Sequence, residues 1–348
     1  MRAKIKWGIL STGAISRAFA RGLPASATGE LLAVASRYKE KAAAFGAEFG
    51  ASRCYGSYDE LLADKDVQVI YISTPHPMHA EWSIKAMNAG KHVLVEKPIG
   101  LNYDEAQAMI EAAIVNKVFL MEAYMYRCHP QTAKLVELLK SHAIGQVNVI
   151  QATFSFHAGF NPQSRIWNNA LAGGGIMDVG GYTTSISRLI AGAALGKTFA
   201  DPVAITGAGC LHPETGVDAW AVGTLKFDAN IVATISTGVG VNQENVVRIF
   251  GSEGNIILPS PYAMNREGKT VGKIILKKNA EKEAQEILID VNVTSYTLEA
   301  DVVGKAIRAG LQQTDEMNWD DTLGNIRTQD QWRNAIGLTY EAEKPRKR

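Results

Sequence analysis

The chain has 348 residues, 46% of them hydrophobic and 20% charged, with a formal net charge of +1. That balance suits a soluble globular protein, offers no basic surface for nucleic acid or an anionic membrane, and at this length predicts two domains. Three cysteines (Cys54, Cys128, Cys210), odd in number, far apart and without a C-x-x-C spacing, exclude a disulfide framework and a thiolate metal site.

In chain order, residues 5–10, 31–36, 69–73, 92–95 and 118–122 read as short buried strands. Between them, residues 14–23, 39–49, 79–89 and 103–116 carry helical patterns, with a helical turn at 58–62 and Gly90 closing the helix before it. Strands alternating with helices of this length predict parallel βαβ units and a doubly wound sheet. After about residue 123 the texture changes. A helix at 130–140 is followed by strand-like runs at 147–157, 203–211, 219–227, 231–238, 245–251, 255–258 and 273–277, then by helices near 296–309 and 322–340. Runs of closely spaced strands predict a mainly antiparallel sheet, so the expected class is α/β plus α+β. The expected division is a dinucleotide-binding domain over 1–122 and a substrate and oligomerisation domain over 123–348. The basic run from Lys344 to Arg348 reads as a solvated tail. The first strand begins within a few residues of the start, so no signal peptide is expected, and no apolar stretch is long enough to span a bilayer. A reducing cytoplasm is the expected compartment.

The first strand-to-helix turn reads Ser11-Thr12-Gly13-Ala14-Ile15-Ser16. A dinucleotide fingerprint would place glycines at 11, 13 and 16, and only Gly13 is present, flanked by small substitutes. The helix beginning there would still offer amide N–H groups to a pyrophosphate. At the end of the second strand, where an NAD site usually has an acid for the ribose hydroxyl, stand Ser36 and Arg37. A hydroxyl and a guanidinium suit a 2′-phosphate, so NADP is expected over NAD. Thr74, Pro75 and His76 close the third strand, with His79 at the next helix start, along the same cofactor-facing rim. His76 and His79 lack a third ligand at metal spacing, so no metal is expected.

Two segments carry the candidate chemistry. Residues 91–98 read Lys-His-Val-Leu-Val-Glu-Lys-Pro, a strand whose end presents Glu96 and Lys97 and is stopped by Pro98. Ligands of open α/β sheets sit beyond such strand ends, so Lys97 is placed on the rim of a cleft. Gly173, Gly174 and Gly175 permit close backbone approach and open a helix over 176–189. Asp178 and Tyr182, four residues apart, share one face of it. A carboxylate and a phenol converging on a cleft suit acid/base work and substrate orientation, and a neighbouring ammonium from Lys97 would favour the phenolate. Tyr126, Arg127, Phe160, Arg165 and Trp167 are candidate substrate-wall residues, because aromatic faces and guanidinium groups suit sugars.

The Glu96-Lys97-Pro98 strand end, the Ser36-Arg37 pair, the segment from Met121 to Pro130 and the glycine-rich Asp178/Tyr182 helix occur in that order. Together they resemble the glucose–fructose oxidoreductase/inositol dehydrogenase (Gfo/Idh/MocA) family, in the branch with NADP-dependent xylose dehydrogenase and dihydrodiol dehydrogenase. The resemblance implies a Rossmann domain, an open-faced sheet domain, a cleft between them, and Lys97, Asp178 and Tyr182 as catalytic residues. It further implies an NADP(H)-dependent oxidoreductase of sugars or vicinal diols, and a dimer formed through the open sheet face. Two rival readings remain open. One is a cofactor-retaining NAD-dependent glycosidase or sugar–sugar oxidoreductase of the same fold, the other an NADPH-sensing regulatory protein. Ser36-Arg37 and Tyr182 weigh against the glycosidase, and the joint presence of Lys97, Asp178 and Tyr182 weighs against the sensor.

Overall fold

The computed structural model describes residues 3–262 and 270–344. Its first unit contains β1 (Ile5–Leu10), α1 (Ala14–Gly22), β2 (Gly29–Ala35), α2 (Lys39–Phe49), β3 (Arg53–Tyr55) and α3 (Tyr58–Ala63). It continues through β4 (Val69–Ile72), α4 (His79–Asn88), β5 (His92–Glu96), α5 (Tyr103–Asn116) and β6 (Leu120–Ala123). The strands form one parallel sheet in the order β3-β2-β1-β4-β5-β6. Both faces of this sheet are buried, and the residues alternate between them. Trp7, Ile9, Val34, Val69, Tyr71 and Leu94 enter one core, while Leu10, Ala33, Ala35, Ile70, Val93 and Val95 enter the other. That two-sided burial explains the near-continuous apolar runs of the sequence. The strand order reverses between β1 and β4, so the crevice at their carboxyl ends is where a doubly wound sheet binds ligand.

The second unit begins with α6 (Pro130–Lys140) and β7 (Val147–Ser155), then α7 (Gly181–Ala194) and β8 (Ala204–Leu211). β9 (Asp218–Lys226), β10 (Val232–Gly238), β11 (Val247–Gly251), β12 (Gly254–Leu258), β13 (Thr270–Lys278) and β14 (Gln285–Val291) complete its sheet. The order is β14-β13-β12-β11-β7-β10-β9-β8, antiparallel throughout except for β7 beside β10. One face packs on α7, which is buried from Gly181 to Ala193. The other face carries exposed apolar side chains, among them Val149, Trp220 and Val222. α8 (Ser295–Arg308) and α9 (Trp319–Ala335) then return to the first unit, α8 against α1 and α9 against α5.

Two strands escaped the sequence reading. β3 is three residues long and half-buried, and β14 is an edge strand whose residues are half-buried or exposed, so neither carries a strong apolar signature. The helix expected over 176–189 is instead a π-helical turn (Ile176–Gly180) followed by α7. Of the basic run at the chain's end, only Lys344 falls within the described residues. Among the described residues, no helix is long and apolar enough to cross a membrane.

Candidate active site

A cavity of about 700 Å³ opens where the parallel strands end. Ser11, Gly13, Ala14, Ile15, Arg37, Tyr58, Ser73, Thr74, Pro75, His76, Met78, His79, Glu96 and Lys97 line it from the first unit, and Arg165, Leu171 and Asp178 from the second. Ser11 takes a positive φ of 109°, which turns the chain sharply between β1 and α1. Gly13 caps α1 with no side-chain hydrogen bond, and no acid stands in the helix's first turn. The first amides of α1 are thus left to a ligand.

The wall fits a dinucleotide. A side chain built on Gly13 would meet nothing closer than Ser11 Oγ at 3.9 Å, so the turn faces open space. Thr74 Oγ1 is buried with no partner among the described residues, a polar atom that a ligand in this cavity would satisfy. Arg37 is exposed on the rim next to Tyr58, whose phenol is pushed up by burial and drawn down by that guanidinium. Ser36 is buried, its Oγ accepting from the Tyr38 amide at 3.4 Å, and neither it nor Thr12 belongs to the lining.

Lys97 stands at the junction of the two units, its side chain 15% exposed. Its Nζ donates to the Asp178 carbonyl at 2.5 Å and lies 3.9 Å from Asp178 Oδ1. The Lys97–Pro98 peptide bond is cis. Arg165 Nη2 donates to the same Asp178 Oδ1 at 2.8 Å. Burial alone would push the Asp178 carboxyl up, but Lys97 and Arg165 pull it down to about 2, so it is an anion at neutral pH. Arg165 Nη1 donates to His76 Nε2 at 3.3 Å, and His76 Nδ1 donates to the Ala172 carbonyl at 3.0 Å. That pairing requires a neutral ring, consistent with burial and the Arg165 charge holding His76 well below its usual range. His79 places both nitrogens 2.8 Å from carbonyl oxygens, of Pro98 and Thr74. Those contacts favour a proton on each nitrogen, yet burial outweighs them and brings the ring down to about 4. Glu96 Oε1 accepts from the Tyr71 hydroxyl at 2.5 Å.

Tyr182 lies one layer behind this wall. Its ring centroid is 5.4 Å from Lys97 Nζ, within an aromatic cluster of the buried Tyr124, Tyr126 and Tyr262 and the half-buried Phe154. Its hydroxyl donates to Met125 Sδ at 3.3 Å. The structure therefore brings Lys97, Asp178, Arg165 and Tyr182 together, the first three on the cavity and the fourth beneath Lys97.

The other candidate wall residues lie elsewhere. Tyr126 and Arg127 face the interior rather than the cavity. The Tyr126 hydroxyl is 2.7 Å from Ser185 Oγ, and Arg127 is buried in an ion pair with Asp321 at 2.5 Å. The chain turns inward immediately after β6, and the partner acid is far along the sequence, so local pattern gave no sign of it. Trp167 is buried, donating from Nε1 to the Gly159 carbonyl, while Phe160 stacks on His212 at 4.0 Å and remains partly exposed. Neither lines the cavity. Tyr58, Ser73, Met78 and Leu171 line it without having been singled out from the sequence. Tyr58 follows β3, and recognising that strand would have exposed it.

A parallel sheet with an anion-ready helix start, joined to a lysine–aspartate pair across a domain junction, defines a nicotinamide-dependent oxidoreductase. The oxidoreductase family with an NAD-binding Rossmann fold matches residues 5–124, and the GFO/IDH/MocA C-terminal domain matches 132–257. The chain belongs to this family. It is 31% identical to the trans-1,2-dihydrobenzene-1,2-diol dehydrogenase of Mus musculus, over 98% of this chain and 99% of that protein. Among solved structures, an aldose-aldose oxidoreductase from Caulobacter crescentus superposes with a TM-score of 0.85 at 24% identity, covering 96% of this chain and 98% of the other. A 3-ketoreductase from Actinomadura kijaniata, in complex with TDP-benzene and NADP, superposes at 0.83 with 22% identity over the same shares.

Proposed function

We propose that this enzyme uses NADP(H) to oxidise a hydroxyl, or reduce the matching carbonyl, of a sugar or vicinal diol. The observation that carries this is one cavity holding both the uncapped start of α1 with Arg37 and the Lys97–Asp178–Arg165 cluster. Support comes from the relatives: a dihydrodiol dehydrogenase aligned end to end, and fold neighbours whose names state sugar chemistry and NADP.

When bound, the nicotinamide dinucleotide supplies or accepts the hydride. The chain's own residues do the rest. The α1 amides and Thr74 would hold the dinucleotide along the strand ends, and Arg37 would pair with a 2′-phosphate. Lys97 stabilises negative charge developing on the substrate oxygen. Tyr182, beneath Lys97 with its hydroxyl on Met125 Sδ, is the proton acceptor in this reading, and its hydroxyl turns from Met125 toward the cavity to reach the substrate. Asp178, kept ionised, accepts a hydrogen bond from a neighbouring substrate hydroxyl and so orients a diol rather than a simple alcohol.

We place the domain boundary near residue 123 and assign the exposed sheet face around Trp220 and Val222 to a second copy of the chain. A reducing cytoplasm fits the three free cysteines. The test is NADPH formation followed by absorbance, with NADP and NAD in parallel against aldoses, anhydro sugars and vicinal diols. NADP-linked turnover on a diol or sugar is expected. Silence across the panel, with NAD found bound to the purified protein, would replace this reading with a cofactor-retaining one.

A further inference from the structure

Asp218 opens β9 and is fully buried, and it is not part of the cavity lining. Its Oδ2 accepts from the Ile176 amide at 2.8 Å, at the start of the turn that carries Asp178. The two glycines before Ile176 make room for this carboxylate. A side chain on Gly174 would overlap Asp218 Oδ1, and one on Gly175 would stand 3.1 Å from Oδ2 and 2.9 Å from Gly238 Cα. The close approach that the glycine run permits is thus made in part by a buried acid of the chain itself.

From that acid a short path leads to the catalytic lysine. The Asp178 amide donates to the Gly174 carbonyl at 3.2 Å, and the Asp178 carbonyl accepts the Lys97 ammonium at 2.5 Å. Thr237 Oγ1 donates to the Gly175 carbonyl at 3.1 Å and steadies the same turn from β10. Tyr340 Oη donates to the Gly173 carbonyl at 2.7 Å from the C-terminal segment. A carboxylate at this helix start also meets the positive end of the helix dipole.

We propose that Asp218 is a positioning residue for the reaction: by anchoring Gly174–Ile176 it sets where Asp178 meets Lys97. The proposal rests on the catalytic reading of Lys97 and Asp178. The experiment compares wild type, Asp218→Asn and Lys97→Ala, measuring kcat, KM, NADP affinity by fluorescence titration, and hydrogen exchange at the Ile176 amide. Burial pushes the Asp218 carboxyl up to about 7 against the backbone amides that draw it down, and Asp218→Asn keeps the volume and one acceptor while removing the ionisable group. Faster exchange at Ile176 and a kcat lowered on the order of 10- to 100-fold, the scale of a small misplacement of a catalytic group, are expected. NADP affinity and substrate KM should stay at wild-type values. Wild-type kcat in Asp218→Asn overturns the proposal. So does a fall in kcat, NADP affinity and melting temperature together, which would mark a merely structural role. Should Asp218→Asn fail to fold, Asp218→Ser removes the carboxylate in a smaller side chain, and its kcat decides by the same criterion. Near wild-type turnover in Lys97→Ala removes the catalytic reading itself. A dead Lys97→Ala beside an unaffected Asp218→Asn removes this proposal alone.

Discussion

Replacing Arg37 by alanine separates the two cofactors. Arg37 follows β2 on the cavity rim beside Tyr58, and it is exposed. A guanidinium hydrogen-bonded to a phosphate is worth about 1.5–3 kcal/mol. Exposure to solvent and salt draws the value toward the lower end of that range. About 1.4 kcal/mol is a factor of ten, so KM for NADP should rise roughly ten-fold. NAD has no 2′-phosphate, so its KM should stay constant. Initial rates with each cofactor, at low and high ionic strength, make the measurement. The NADP penalty should shrink as salt rises, because the wild-type advantage is itself screened. Equal penalties for NADP and NAD would refute the reasoning, since they would mean that Arg37 supports the shape of the turn and not the phosphate.

Three further outcomes follow from the site. Arg165→Met removes one of the two cations that hold the Asp178 carboxyl down at about 2 against its burial. A depressed carboxyl stabilises the fold above its unfolded value, near 3.9, and that stability is lost as pH falls through about 2. The variant should therefore melt with a deficit of roughly 1 kcal/mol at neutral pH, discounted for the partly exposed guanidinium. The deficit should shrink between about pH 4 and 2; scanning calorimetry would contradict this by finding it constant. Tyr182→Phe removes the hydroxyl that bonds Met125 Sδ. It should lower kcat by roughly 10²–10⁴-fold with little change in melting temperature, and a wild-type kcat would exclude Tyr182 as acid/base. Trp220→Glu with Val222→Glu places charge on the exposed sheet face. Sedimentation should then show a dimer for wild type and a monomer for the variant, and an unchanged mass would move the interface elsewhere.

The parallel half of the fold was legible because burial on both faces leaves unbroken apolar runs, and helix starts and stops punctuate them. Ser57 and Asn102, for example, cap α3 and α5 through their side chains, accepting from Glu60 and Glu105 amides. The antiparallel sheet was legible where one face is buried, as in β9, whose residues alternate between core and solvent. At its edge that alternation stays at the surface, and β14 was missed. In the site, Lys97 and Asp178 could be read because a strand end and a glycine-rich helix start fix their surroundings locally. The direction of Tyr126 and Arg127 could not, because Ser185 and Asp321, which hold them, come from distant segments. The role of Gly174 and Gly175 was hidden for the same reason, since Asp218 lies on another strand.

Lys97 is proposed to act on the substrate in a cavity that also takes NADP. Lys97→Ala tests it most directly, with kcat measured on the best substrate of the panel and NADP affinity measured alongside by fluorescence titration. A kcat lowered by roughly 10²–10⁴-fold is expected, with NADP still bound at close to wild-type affinity. Turnover near wild type would contradict it.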